Sequence, residues 1–219
     1  MKGGFFMKKL NAPAADRRKD KIFISSVAML LALWIAFSLV LFESECGNIR
    51  NGVIRLHILA DSDSETDQNI KLAVRDALLQ LDTPLLGGSA APADAEEYFK
   101  KSRDDMKRCA DEVLKANGAS YGAEVVLCRE YYPVREYGSL SFPAGEYTSV
   151  KVVLGSGSGH NWWCVMFPPL CVPAADGGVD GREELLDEYF DTRTKRIISS
   201  EGKYKVKFKL VEWYERLFK

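Results

Sequence analysis

The chain has 219 residues, 47% of them hydrophobic and 28% charged, with a formal net charge of −1. That length and composition can bury one ordinary core. The near-neutral total hides an asymmetry: residues 1–21 carry seven Lys or Arg against two Asp, while the remainder carries 23 basic and 29 acidic side chains. A mildly acidic body without clustered Lys and Arg argues against nucleic acid as a partner, because displacing its counterions takes a concentrated basic face.

Residues 1–21 show no apolar periodicity and read as a disordered, basic cytoplasmic tail. Ile22 to Phe42 comes next, 21 residues without a charge, of which all but Ser25, Ser26 and Ser38 are apolar. As a helix this run is roughly 31 Å long, close to a hydrocarbon core of about 30 Å. With no polar face it is a membrane element rather than a core helix. Arg17, Arg18, Lys19 and Lys21 precede it and Glu43 and Glu45 come after it, so the positive-inside rule keeps 1–21 in the cytoplasm and sends residues 43–219 across the membrane. Both a signal peptide and an uncleaved anchor fit. The run exceeds a usual signal-peptide core, Ala36-Phe37-Ser38 lies inside it, and Glu43-Ser44-Glu45 is a poor lipoprotein site before Cys46, which favours the anchor. Residues 43–52 read as a short polar linker and 53–219 as the exported domain.

Within that domain Val53 to Ala60 alternates like a strand, Ile54, Leu56 and Ile58 on one face and Arg55, His57 and Leu59 on the other. The acidic turn Asp61 to Asp67 leads into a helix with Ile70, Val74, Ala77, Leu78 and Leu81 in one stripe and Lys71 and Arg75 elsewhere. Pro84 and Gly87-Gly88 end it. A second helix is expected from about Ala93 to Asn117, stopped by Asn117-Gly118. Glu124 to Tyr132 and Glu146 to Leu154 read as strands. Gly155-Ser-Gly-Ser-Gly159 then reads as a flexible connection that folds Asn161 to Phe167 back on 146–154 as a hairpin. Both faces of 161–167 are apolar, which suits a central strand. Glu183 to Phe190 is a short helix, and Val206, Leu210, Trp213, Tyr214 and Leu217 suit another. The whole implies an α+β domain with a mixed sheet and flanking helices.

Asn161-Trp162-Trp163-Cys164-Val-Met-Phe167-Pro168-Pro169-Leu170-Cys171 concentrates two tryptophans, two of the five cysteines and two prolines. It can be a strand with a stapled turn, a recognition surface, or a metal or nucleophile site. A His160–Cys164 nucleophile pair fails on geometry, since four extended steps place the two about 13 Å apart. Zinc on His160, Cys164 and Cys171 lacks a fourth ligand and the usual spacing. The acids at 61–67 lack the glycine of a calcium loop, and the Gly-Ser run is no phosphate loop. No catalytic residue, metal or cofactor is therefore assigned. A Cys164–Cys171 disulfide requires the chain to reverse, for which Pro168-Pro169 provides a bend; it stabilises by roughly 2.5 kcal/mol on the entropic account. His57 is read as a structural histidine.

Ile54-Arg-Leu-His-Ile-Leu-Ala-Asp-Ser-Asp-Ser64 with Lys71-Leu-Ala-Val-Arg-Asp-Ala77, together with Asn161 to Cys171, resembles the stage II sporulation protein R family over roughly residues 50–172. The resemblance implies a signalling protein, not an enzyme, made in the forespore of an endospore-forming bacterium and exported into the space between two membranes. There it is expected to activate the sigma-E-processing membrane aspartic protease (GA protease) of the mother cell. The rival expectation is a membrane-anchored cell-envelope enzyme such as a wall hydrolase.

Overall fold

The structure, a computed structural model, describes residues 14–81, 92–137, 140–170 and 182–199, together with Lys209 and Trp213. The chain divides into two compact units, Met1–Phe42 and Glu43–Lys219. Helix α1 (Ala14–Asn51) runs through the uncharged stretch. There its apolar side chains are exposed along their length, Ile22 by 59%, Trp34 by 68% and Val40 by 67%, as lipid-facing residues should be. Two expectations change here. Residues 14–21 are helical rather than disordered, and residues 43–51 are helical rather than linker. In the second unit Cys46 and Ile49 are fully buried, and Arg50 pairs with Glu43 and donates to the Ala144 carbonyl at 3.1 Å.

The second unit is α+β. Its strands are β1 (Ile54–Leu59), β2 (Ala123–Tyr132), β3 (Arg135–Tyr137), β4 (Leu140–Phe142), β5 (Gly145–Leu154) and β6 (Asn161–Phe167). Its helices are α2 (Glu65–Leu81), α3 (Pro92–Ala116), α4 (Arg182–Tyr189) and α5 (Thr192–Ile198). The main sheet has the order β2-β5-β1-β6, with β1 parallel to β5 and antiparallel to β6. A two-stranded β3-β4 ribbon is inserted between β2 and β5, which pair over their whole length.

Local chemistry accounts for the helices. Ser64 Oγ accepts the Asp67 amide at 3.1 Å and its hydroxyl donates to the Asp67 carboxylate, capping α2. At the end of α3, Gly118 takes φ +74° and the Ala119 amide reaches back to the Leu114 carbonyl, so Asn117-Gly118 does stop the helix. Ile70, Val74 and Leu78 of α2 and Phe99, Met106, Ala110 and Leu114 of α3 pack with Leu56, Ile58, Val150 and Val152 into one core. Each such Leu, Ile, Val, Phe or Met side chain, fully buried, contributes about 1.5–3 kcal/mol.

The expected hairpin does not form. β1 fills the slot between β5 and β6, so 155–160 is a crossover past the end of β1. The run of β1 is buried on both faces except at Leu59, with Ile54, Leu56 and Ile58 in the helix-side core and Arg55 and His57 buried on the opposite face. β6, expected to be central, pairs with β1 alone among the described strands. The register slips at Ile54/Arg55, where Ile54 opposes Phe167 and Arg55 opposes Val165. This bulge at Met166 turns Phe167 to the core side, against strict alternation. Helix α5 was not anticipated; Asp191 caps it by accepting the Arg193 and Thr194 amides. The segments around 84–88 and 174–181 and the C-terminal stripe, apart from Trp213, which is helical and exposed, lie outside the described residues.

Candidate functional site

The antiparallel register sets Leu56 opposite Cys164, His57 opposite Trp163, Ile58 opposite Trp162 and Leu59 opposite Asn161. The two stretches singled out in the sequence thus lie side by side. The two tryptophans point to opposite faces of β6. On the helix side, the Arg75 guanidinium stacks 4.4 Å from the Trp162 ring, and Lys71 Nζ donates to the His160 carbonyl at 3.0 Å. Lys71 and Arg75 were expected away from the packed surface; they are 5% and 9% exposed because they brace this strand. On the other side Trp163 stacks on His57 at 3.5 Å and meets Tyr132 edge-on at 5.0 Å.

The second half of the motif is interior. Cys164 is disulfide-bonded, while Cys46, Cys109 and Cys128 form no disulfide; Cys171, its expected partner, lies outside the described residues. Phe167 is buried against Tyr189 at 5.2 Å and joined to Pro168 by a cis peptide bond. Pro168 is buried, Pro169 half-buried and Leu170 8% exposed, with the Leu170 amide donating to the Pro168 carbonyl. Among the described residues of the motif, Asn161, Trp162 and Trp163 reach solvent beyond this turn.

Next to Asn161 two loops lock together. Asp61 accepts the Ser156 amide at 2.6 Å, its carbonyl accepts the Ser158 amide, and Ala60 accepts the Gly159 amide at 2.9 Å. Asp63 accepts both the amide and the ring N–H of His160, which holds its carboxyl below the usual range. Gly155 and Gly157 have φ +56° and +64°, and a Cβ on Gly155 would overlap the Asp61 carboxylate. The Gly-Ser run is therefore a fitted crossover rather than a flexible connection. Asp61 and Asp63 matter as loop ties beyond any capping, a role invisible without the tertiary fold.

The face opposite the helices holds a buried polar cluster. Glu130 bonds His57 Nδ1 at 3.1 Å and Lys151 Nζ at 2.9 Å. Burial lowers the pKa of His57, against the raising effect of Glu130. Bonds from Lys151 and His57 outweigh burial at Glu130 and hold its carboxyl low. Tyr132 shares a hydrogen bond with Ser149 at 2.8 Å. Burial pushes the Tyr147 phenol up to about 12, with Arg55 pulling the other way. Arg55, fully buried, sits among Tyr132, Phe142 and Tyr147. Strand alternation placed Arg55 and His57 on this face but gave no sign that a ribbon covers it.

Cys164 is held in a disulfide, His160 is paired with Asp63, and Trp163 lies over the His57 ring. No group of three or more His, Cys, Asp or Glu among the described residues is placed to share a metal ion.

Residues 50–176 match the model of the stage II sporulation protein R family. Stage II sporulation protein R of Bacillus subtilis (strain 168) is 32% identical over 186 residues, which cover 78% of this chain and 83% of that protein. No solved structure matches the chain. The matched span contains β1, the loop ties, the buried polar face and β6 with its Pro-Pro turn as far as Leu170, and the chain belongs to the stage II sporulation protein R family.

Proposed function

We propose that the chain is an exported signalling protein of sporulation. It is made in the forespore, crosses into the intermembrane space, and activates the membrane-embedded aspartic protease that removes the pro-sequence from pro-sigma-E. Family membership across residues 50–176 is the observation that carries this reading. The layout supports it: an apolar helix long enough to cross a membrane precedes a compact unit, with basic residues before the apolar run and acidic ones after it. The solvent-reaching part of β6, Asn161 to Trp163, offers aromatic contact area of the kind interfaces use.

A wall hydrolase draws less support, since its usual pair of carboxylates in a cleft has no counterpart in the clusters around β1 and β6. The test is co-expression of the full chain with the protease and pro-sigma-E in a non-sporulating host. Processing that requires this chain is expected. Processing at the same rate without it, or cleavage of peptidoglycan by the purified protein, would overturn the reading.

A further inference from the structure

Arg55 is fully buried, yet among the described residues no carboxylate pairs with it. Its guanidinium carbon lies 4.4 Å from the Tyr147 ring centre, 4.8 Å from Phe142 and 5.0 Å from Tyr132. Nη1 donates to Tyr137 Oη at 3.1 Å, while Nε and Nη2 have no acceptor in hydrogen-bonding geometry. Glu130, an acid on the same sheet face, is engaged by His57 and Lys151. Buried cations are normally paired, and aromatic faces offset part of the lost hydration.

The cover over this cation is thin at Tyr137. That residue is half-buried on the three-residue strand β3, and its hydroxyl reaches the Trp163 carbonyl at 3.5 Å. Arg135 lies on the same face of β3, two residues earlier. It is 5.9 Å from the Trp163 ring, and its Nε also lacks an acceptor. Two arginines with unused N–H donors thus flank a half-exposed Tyr137–Trp163 pair.

We propose that this is a binding site for an acidic side chain of a partner protein. The carboxylate takes the place of the Tyr137 hydroxyl on Arg55, which holds it through paired N–H donors, while Arg135 closes from the solvent side. Guanidinium forks match carboxylate geometry, which an ammonium does not, and Trp163 supplies an apolar wall. The proposal rests on the signalling reading and names the chemistry of its contact.

The test uses the full-length chain in detergent and a triglutamate peptide blocked at both ends, with binding read by calorimetry. Saturable binding is expected, weakened about tenfold by Arg135→Gln, tightened severalfold by Tyr137→Phe, and absent for blocked trilysine. Tyr137→Phe keeps the ring but removes the hydroxyl that occupies Arg55. No binding, equal binding of trilysine, equally tight binding of inorganic phosphate, or indifference to Arg135→Gln each overturns the proposal. In the co-expression assay Arg135→Glu should cut processing about tenfold at unchanged membrane level, and normal processing would also overturn it. If wild type supports no processing but binds triglutamate through Arg135, the signalling reading fails and the site stands.

Discussion

His57 is held by opposing influences: burial favours its neutral form, while Glu130 across the sheet and Lys151 beside it pull in opposite directions. Its folded pKa is depressed, so as pH falls through 6.5 the unfolded chain takes up the proton first and stability drops. Glu130, also depressed, adds a loss of the same sign as pH falls through 4.5 and below. The melting temperature should therefore fall on acidification from neutral pH, and His57→Gln should flatten the upper part of that decline. An unchanged slope in the variant, read by thermal unfolding across the range, would contradict this assignment. Gly155 carries a different constraint. With φ +56° and the Asp61 carboxylate where a Cβ would go, Gly155→Ala should cost about 1–3 kcal/mol, measured by chemical denaturation. Thiol chemistry gives a third check. Under oxidising conditions Cys164 should resist alkylation until reductant is added, whereas buried Cys46 should react once the chain unfolds, with or without reductant. Mass spectrometry of labelled peptides separates the two.

At the scale of elements, periodicity works where each residue's neighbours are local. The stripe Ile70, Val74 and Leu78 and the stop at Asn117-Gly118 were legible because one helix turn or one left-handed residue decides them. Leu78 is fully buried in the core, and Leu78→Ala should cost about 2–5 kcal/mol in equilibrium unfolding. β6 marks where this logic stops. Its apolar residues were legible, but its pairing with β1 and the bulge that turns Phe167 inward depend on a strand about a hundred positions earlier. Lys71 and Arg75 read as surface charges for the same reason: the tryptophan and the carbonyl that engage them belong to another part of the chain.

For the whole molecule, the apolar run of α1 has the length and composition of a membrane anchor or a signal sequence. The full chain should fractionate with membranes, and a chain lacking residues 22–42 should not; a soluble full chain without cleavage would refute the anchor. The sequence by itself determined the long apolar run, the α+β class, the two long helices, the strand residues and the likeness to the sporulation family. Each of these rests on composition, short-range periodicity or a dense local motif. Tertiary structure alone decided that β1 separates β5 from β6, that Asp61 and Asp63 pin the Gly-Ser crossover, and that Arg55 ends up caged with no acid beside it among the described residues. These depend on contacts between residues up to about a hundred positions apart. Strand order is chosen by which apolar surfaces can be buried together, and a one-dimensional pattern does not carry that choice.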